Sequence, residues 1–347
     1  MLADAVVYSV EGETYCWRDV ILSAVRRGDW HAVEQRARLG AAAVRHADAT
    51  GASLPSSALD TAGRDFRYAR DLVTASSMEE WLVRREISVQ EWTAFLRRSL
   101  QRAAVSGNAT DLLARYPTAD DEAARLTMIE AICGPDLDAW SRALARRAAA
   151  HASLAAAPPS TPATEPVSDA QNTSLPASVI GDDELLRRAS EQRLAALDRS
   201  LAAFRDVTLT DRVVQDYVSA RQLDWVRFDC RVLAFPRREM AAEAALLLRE
   251  DGEGFTRVYQ VAHTEPRLAS FYLDQIDEPL RDHFLGSRPG DLIGPTHIDG
   301  EYLLYEVEKK VLPTLGDVDV RRRAERAVLD LALDQQVDRR VTWGARG

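Results

Sequence analysis

A chain of 347 residues is longer than one hydrophobic core usually organises, and 46% hydrophobic with 28% charged residues describes a folded chain, so two domains are expected. The formal net charge of −10 argues against nucleic acid as the main partner, because phosphate contacts need a basic face. Cys16, Cys133 and Cys230 form no CxxC and no metal-like spacing to a histidine, so they read as reduced, buried, small apolar residues with no metal among them. The opening "MLADAVVYSV" lacks a basic region followed by an apolar run, and no later stretch is long enough to span a bilayer; the expectation is a soluble cytoplasmic chain with no membrane partner.

The first expected element is a hairpin. "VVYSVEGETYCW" is two alternating runs around Glu11-Gly12, and glycine tolerates the positive φ of a tight turn. Helices follow. "SMEEWLVRREISVQEWTAFLRRSLQR" carries two capping-box spacings, Ser76 with Glu79 and Ser88 with Glu91, each marking a helix start. After the second, Trp92, Phe95, Leu96 and Leu100 recur on one helical face. Two more helices are expected, one around 126–133 ended by Gly134-Pro135 and one over about 137–151.

Residues 155–178, "AAAPPSTPATEPVSDAQNTSLPAS", have no aromatic residue and no periodicity, which predicts a disordered linker. Beyond it, "DDELLRRASEQRLAALDRSLAAF" reads as a connecting helix with a stripe of Leu186, Ala189, Leu194, Leu197 and Leu201. "VTLTDRVVQDYVSARQLDW" starts a helix at Thr210 or Thr208, with Val213, Val214, Tyr217 and Val218 apolar. "WVRFDCRVLAF" alternates Val226, Phe228, Cys230 and Val232 on one face and predicts a strand. "REMAAEAALLLREDGEGFTRVYQVAH" predicts a helix stopping at Gly252 and a second starting at Phe255. "GPTHIDGEYLLYEVEKK" is the final strand, and a helix over about 319–337 closes the chain.

Strand, alanine-rich helix, "DGEGF" connection, short helix ending in "VA", then "GDLIGP" and a last strand resemble the parvulin fold of peptidyl-prolyl isomerases. The preceding "VTLTDRVVQDY" is similar to the segment that introduces such a domain in SurA-type and PrsA-type foldases, and the hairpin with its helices resembles their N-terminal chaperone domain. The expected fold class is therefore α+β: a mostly helical chaperone-like domain over 1–154, linker 155–178, connecting helix 179–205, a small parvulin-like domain with an antiparallel sheet over 206–312, and a C-terminal segment 313–347 returning to the first domain. "FRYARDLVTASSMEEWLVRREISVQEW" and "IEAICGPDLDAWSRALARRAA" further resemble PpiC-related proteins of actinobacterial peptide-maturation systems.

Parvulins place one histidine in the first strand and one in the last, flanking an apolar pocket for the prolyl ring. The first position falls at Asp229 or Cys230 and the second at Tyr302, so the resemblance implies a degenerate site with neither histidine. Its implied peptide-binding residues are Asp229, Cys230, Phe271, Phe284, Tyr302 and Leu304, with no catalytic residue and no cofactor. Alternation puts Tyr302 and Leu304 on one side of the last strand and Leu303, Tyr305 and Val307 on the other. The second set is the more uniformly apolar and is expected to be the helix-packed core, leaving the first for a peptide. His263, His283 and His297 read as structural residues, and Asp274, Asp277 and Glu278 as a solvated helix cap.

The implied function is a cytoplasmic peptide-binding chaperone or maturation partner, holding a peptide or unfolded client such as a precursor peptide for its modifying enzyme. A working prolyl isomerase is the alternative from another class. Its barrier of roughly 20 kcal/mol involves no bond cleavage, and a desolvating apolar pocket lowers it without a nucleophile. A structural subunit of a biosynthetic enzyme is the third reading.

Overall fold

The computed structural model describes residues 4–105, 109–156, 184–249, 258 and 266–344. The linker residues from 157 and the helix expected from Phe255 lie outside these, as does His263. The fold is mostly helical with two small antiparallel sheets, and the chain divides into two compact units: Met1–Arg205 with Ala332–Gly347, and Asp206–Leu331. No described helix is long and apolar enough to cross a membrane.

Unit 1 opens with the hairpin of β1 (Val6–Val10) and β2 (Glu13–Cys16). Glu11 and Gly12 both take positive φ, 50° and 92°, the pair of angles that a two-residue turn with the native strand twist requires. Tyr8 faces Tyr15 across the pair, their rings stacked at 4.9 Å. Eight helices follow in the described part: α1 (Trp17–Arg26), α2 (Asp29–Thr50), α3 (Ser56–Tyr68), α4 (Ala75–Arg84), α5 (Val89–Ala104), α6 (Ala109–Arg115), α7 (Asp120–Cys133) and α8 (Asp136–Ala155). The expected 126–133 helix is thus the C-terminal half of α7, and the expected 137–151 helix is most of α8. Their core holds Trp30, Trp81, Trp140, Phe95 and Leu144 with Tyr8 and Tyr15. Ser88 and Glu91 make the expected capping box, but the earlier one is Thr74 with Ser77, not Ser76 with Glu79. The helix begins at Ala75, so the residue before it supplies the cap.

Helix α9 (Glu184–Thr208) buries Leu194 and Leu197 in this core while Leu186 and Ala189 are exposed. The inner stripe instead runs through Ser190, whose hydroxyl donates to the buried carboxylate of Asp19 at 2.8 Å. Asp19 also accepts the Cys16 N–H at 3.0 Å, capping α1, which leaves Cys16 half-buried rather than sealed in the core. Cys133 and Cys230 are buried, and all three thiols are free.

Unit 2 starts with α10 (Asp211–Ala220), capped by Thr210. Its sheet has the order β4, β3, β6, β5, every pair antiparallel: β3 (Arg227–Phe235), β4 (Arg267–Tyr272), β5 (Leu292–Ile298) and β6 (Glu301–Val311). Helix α11 (Arg238–Arg249) follows β3, and α12 (Glu278–Gly286) follows β4 after a short 3₁₀ turn. Helix α13 (Val318–Arg340) contributes Val320 and Ala324 to a cluster with Val214, Val218 and Trp225 of the same unit. Its residues from Ala332 belong to unit 1, where β7 (Val341–Trp343) pairs antiparallel with β1. That strand was not expected from the sequence. Valine, threonine and tryptophan suit a pleated surface, and Trp343 packs edge-on to Tyr8 at 5.4 Å.

Candidate functional site

Alternate residues of a strand point to opposite faces, and the sheet of unit 2 sorts its side chains accordingly. On one face Leu233, Phe235 and Leu304 are fully buried against Ala241, Ala244 and Ala245 of α11 and against Val258, with Tyr302 half-buried beside them. Farther along, this face turns polar. Arg227 lies 3.2 Å from Asp229, Ser270 donates to Asp229 at 2.7 Å, and Arg231 lies 2.7 Å from Glu306.

The other face is aromatic. Phe228, Phe271, Phe284 and Tyr305 have ring centroids 5.2 to 6.4 Å apart, most of them edge-to-face, the arrangement that the ring quadrupole favours. Cys230, Val232 and Val307 form the floor, and α12 covers it through Phe284. Around the rim Ala269, Phe271, Ile298 and Leu303 stay half-buried, so the surface is a shallow apolar cup. The Lys310 ammonium lies 5.6 Å over the Phe228 ring and donates to the Leu285 carbonyl. Strand β4 is the edge beside this cup, with Leu268 79% exposed.

Burial sets the protonation states here. The Cys230 thiol is pushed up to about 12, chiefly by desolvation with Asp229 and Glu308 adding, so it stays neutral and carries no thiolate nucleophile near neutral pH. The Tyr305 phenol is raised, first by burial and then by Cys230. Its hydroxyl makes no hydrogen bond to the described residues.

Of the six residues expected to form one site, Cys230, Phe271 and Phe284 meet on the aromatic face. The other three do not join them. Asp229 belongs to the charged ladder on the opposite face, and Tyr302 and Leu304 lie under α11. Leu304 is therefore core, the reverse of the open peptide wall expected of it. Leu303, Tyr305 and Val307, expected on a helix-packed face, do lie on one: Val307 and Tyr305 are buried under α12 through Phe284, and Leu303 is half-buried at its rim. What parts Tyr302 and Leu304 from Cys230 is register. Tyr302 pairs with Phe235, whereas the residues opposite Cys230 and Val232 are Val307 and Tyr305. A bulge between Asp229 and Cys230 moves their partners from Lys309 to Val307, skipping Glu308. Sequence reasoning missed Phe228 and Tyr305 as site residues, although each alternates in step with a residue of that face, Phe228 with Cys230 and Tyr305 with Val307.

His297 packs against Tyr302 at 4.8 Å and His283 is exposed on α12. Asp274 is ion-paired with Arg323, whose guanidinium lies over both Trp225 and Tyr272, while Asp277 and Glu278 stand exposed at the start of α12. Among the described residues no three histidine, cysteine or acidic side chains are grouped to hold a metal ion. A scan against protein-family models and a search of curated proteins return no match to this chain.

Proposed function

We propose that this chain is a cytoplasmic peptide-binding chaperone or maturation partner whose unit 2 is a degenerate parvulin-like domain. The observation that carries the reading is the apolar surface of half-buried Phe271 and Leu303 over buried Phe284 and Tyr305, beside β4, the outermost described strand at that edge of the sheet. An extended peptide adds to such an edge through main-chain hydrogen bonds and sets alternate side chains into the adjoining apolar surface, which needs no catalytic residue. Among the described residues between Arg227 and Val311, the order strand, helix, strand, helix, strand, strand supports the parvulin-like assignment. Cys230 and Tyr305 line the surface that such a domain would offer a prolyl ring, and neither is a histidine. A neutral thiol and an aromatic wall suit holding a client, such as a precursor peptide awaiting modification, more than turning it over.

The test is titration of the intact chain with extended proline-containing peptides, paired with a prolyl isomerisation assay. Phe271→Ala removes a half-buried ring at the rim that packs against Phe228, Phe284 and Tyr305, so a severalfold loss of affinity is expected in a variant that loses about 1–2 kcal/mol of stability but stays folded. Equal affinity for the variant would overturn the cup as the binding surface. A rate enhancement that Phe271→Ala abolishes would replace the holding role with an isomerase.

A further inference from the structure

Unit 1 contains a cavity of about 530 Å³ bounded by Ala5, by Val6 and Val7 of β1, and by Trp17, Trp81, Leu72, Ile132 and Trp343. Four arginines line it, Arg70, Arg84, Arg85 and Arg142, against one acidic side chain, Asp138. In a chain with a net charge of −10 this concentration of positive charge runs against the average. Surface arginines ordinarily find carboxylates, and much of this protein obeys that pattern: Arg45 with Glu122, Arg97 with Asp48, Arg146 with Asp334.

The cavity arginines are less well matched, because the Asp138 charge acts on Arg70 and Arg85 without an ion pair to either. Arg70 lies over the Phe66 ring at 3.9 Å and donates to the backbone carbonyls of Cys133 and Gly134 at the end of α7. Arg85 lies over the Trp81 ring at 5.0 Å and has no hydrogen bond or ion pair to the described residues. Arg142 on the rim likewise has none, and Arg84 has only a 3.9 Å approach to Glu80. Burial lowers the pKa of both Arg70 and Arg85, in each case as the largest cause, although both guanidiniums remain charged at neutral pH. A partly desolvated guanidinium lying over an aromatic ring with no hydrogen bond to the described residues, as that of Arg85 does, is organised for a carboxylate, with Arg70 beside it keeping donors beyond those it gives to backbone carbonyls.

We propose that this cavity binds a carboxylate next to an aromatic or aliphatic side chain, as an acidic peptide segment presents it. Arg85 and Arg70 take the carboxylate. Trp17, Leu72, Ile132 and Trp343 take the neighbouring apolar group, and a volume of this size suits a few residues of peptide. The carboxylate comes either from an acidic side chain or from a chain terminus. The site lies wholly in unit 1 and stands or falls independently of the cup in unit 2.

The test uses the intact protein, with tryptophan fluorescence or calorimetry as readout. Four probes are compared: a capped tetrapeptide with phenylalanine followed by glutamate, its glutamine counterpart, a neutral peptide of the same length with a free C-terminal carboxylate, and inorganic phosphate. The glutamate or the free-terminus peptide is expected to bind at least tenfold more tightly than the glutamine peptide, and whichever does so identifies the source of the carboxylate. Arg85→Gln should erase that difference, while Phe271→Ala in unit 2 should leave it intact. Should Arg85→Gln fold poorly, Arg142→Gln on the exposed rim should reduce the same difference severalfold. Equal binding of charged and neutral peptides, tighter binding of phosphate than of either carboxylate, or an undiminished preference in a folded Arg85→Gln variant would overturn the proposal.

Discussion

The two faces of the unit 2 sheet are built from alternate residues of the same strands, yet they are closed in different ways. One is sealed by alanines of α11 against Leu233, Phe235 and Leu304, a flat helix surface meeting branched and aromatic side chains at full burial. The other ends in rings that remain partly open at Phe271 and Leu303. Small residues let a helix approach and exclude water. Large rings fill a surface without needing a second layer above every atom. The first face therefore spends its apolar area on stability, and the second leaves part of its area half-buried at Phe271 and Leu303, the part the proposed client would cover.

Leu304→Ser is the most direct way to break that contrast. It removes a fully buried side chain and leaves a hydroxyl among Leu233, Phe235 and Ala245, so a loss of about 4 kcal/mol is expected from the cavity and the buried polar group together. Denaturant unfolding followed by circular dichroism measures it. A loss below about 1 kcal/mol would mean that α11 does not seal this face.

Val307→Ala probes the other face at its closed end, beside Cys230. Val307 is fully buried, so about 2 kcal/mol should be lost, less than at Leu304 because one carbon fewer is removed and no hydroxyl is buried. If Val307→Ala equalled or exceeded Leu304→Ser, the aromatic face would be the better sealed of the two.

These two residues also mark how far the sequence could be read. Alternation along β6 was legible, because period two is a local property of the chain. Which face is closed completely and which stays partly open was not, because that depends on where β6 registers against β3 and on the bulge at Asp229 and Cys230, both set by partners some 75 residues away in sequence. The same limit explains Tyr302, read as the counterpart of Cys230 when its partner is Phe235. In unit 1 the hairpin was legible from Glu11-Gly12, since its angles are local, and the cap at Ser88 and Glu91 for the same reason. The role of Ser190 was hidden: its hydroxyl looks polar in sequence, and only Asp19, 171 positions away, makes it an inward residue. The strand Val341–Trp343 was hidden likewise, its three residues being too few to read as a strand without β1 beside them.

A third test moves to unit 1, where stability at helix ends rests on charge rather than apolar area. The Glu91 carboxylate accepts the Ser88 N–H at 2.9 Å, pairs with Arg125 at 2.7 Å and accepts the Ser88 hydroxyl, which together hold it at about 2, below the ordinary 4.5. Its folded pKa is depressed, so its stabilisation is fully present above the unfolded value and is lost as pH falls from about 4.5 toward 2. Glu91→Gln should cost about 1 kcal/mol at pH 7, and the difference from the natural chain should close by pH 2. Unfolding curves at pH 7, 4 and 2 check this, and a gap that persists unchanged at pH 2 would assign the effect to packing instead.

Tyr305→Phe is the finest cut, since it separates what the aromatic face does for the fold from what it would do for the proposed client. The ring packs edge-on to Phe271 and Phe284, and phenylalanine keeps those contacts. The hydroxyl has no partner among the described residues, so its removal should shift stability by no more than about 0.5 kcal/mol in either direction. An extended peptide lying over the cup would bring carbonyl groups to this hydroxyl, and a hydrogen bond gained only on binding contributes about 1 kcal/mol. Affinity for a proline-containing peptide should then fall severalfold in a variant whose unfolding curve overlays that of the natural chain. If affinity is unchanged, the hydroxyl faces away from the bound peptide, and the client is held by the rings and the β4 edge alone. If instead stability falls by several kcal/mol, the tyrosine is anchored in the core as firmly as Leu304, and the two faces of the sheet are not the contrasting surfaces that their side chains describe.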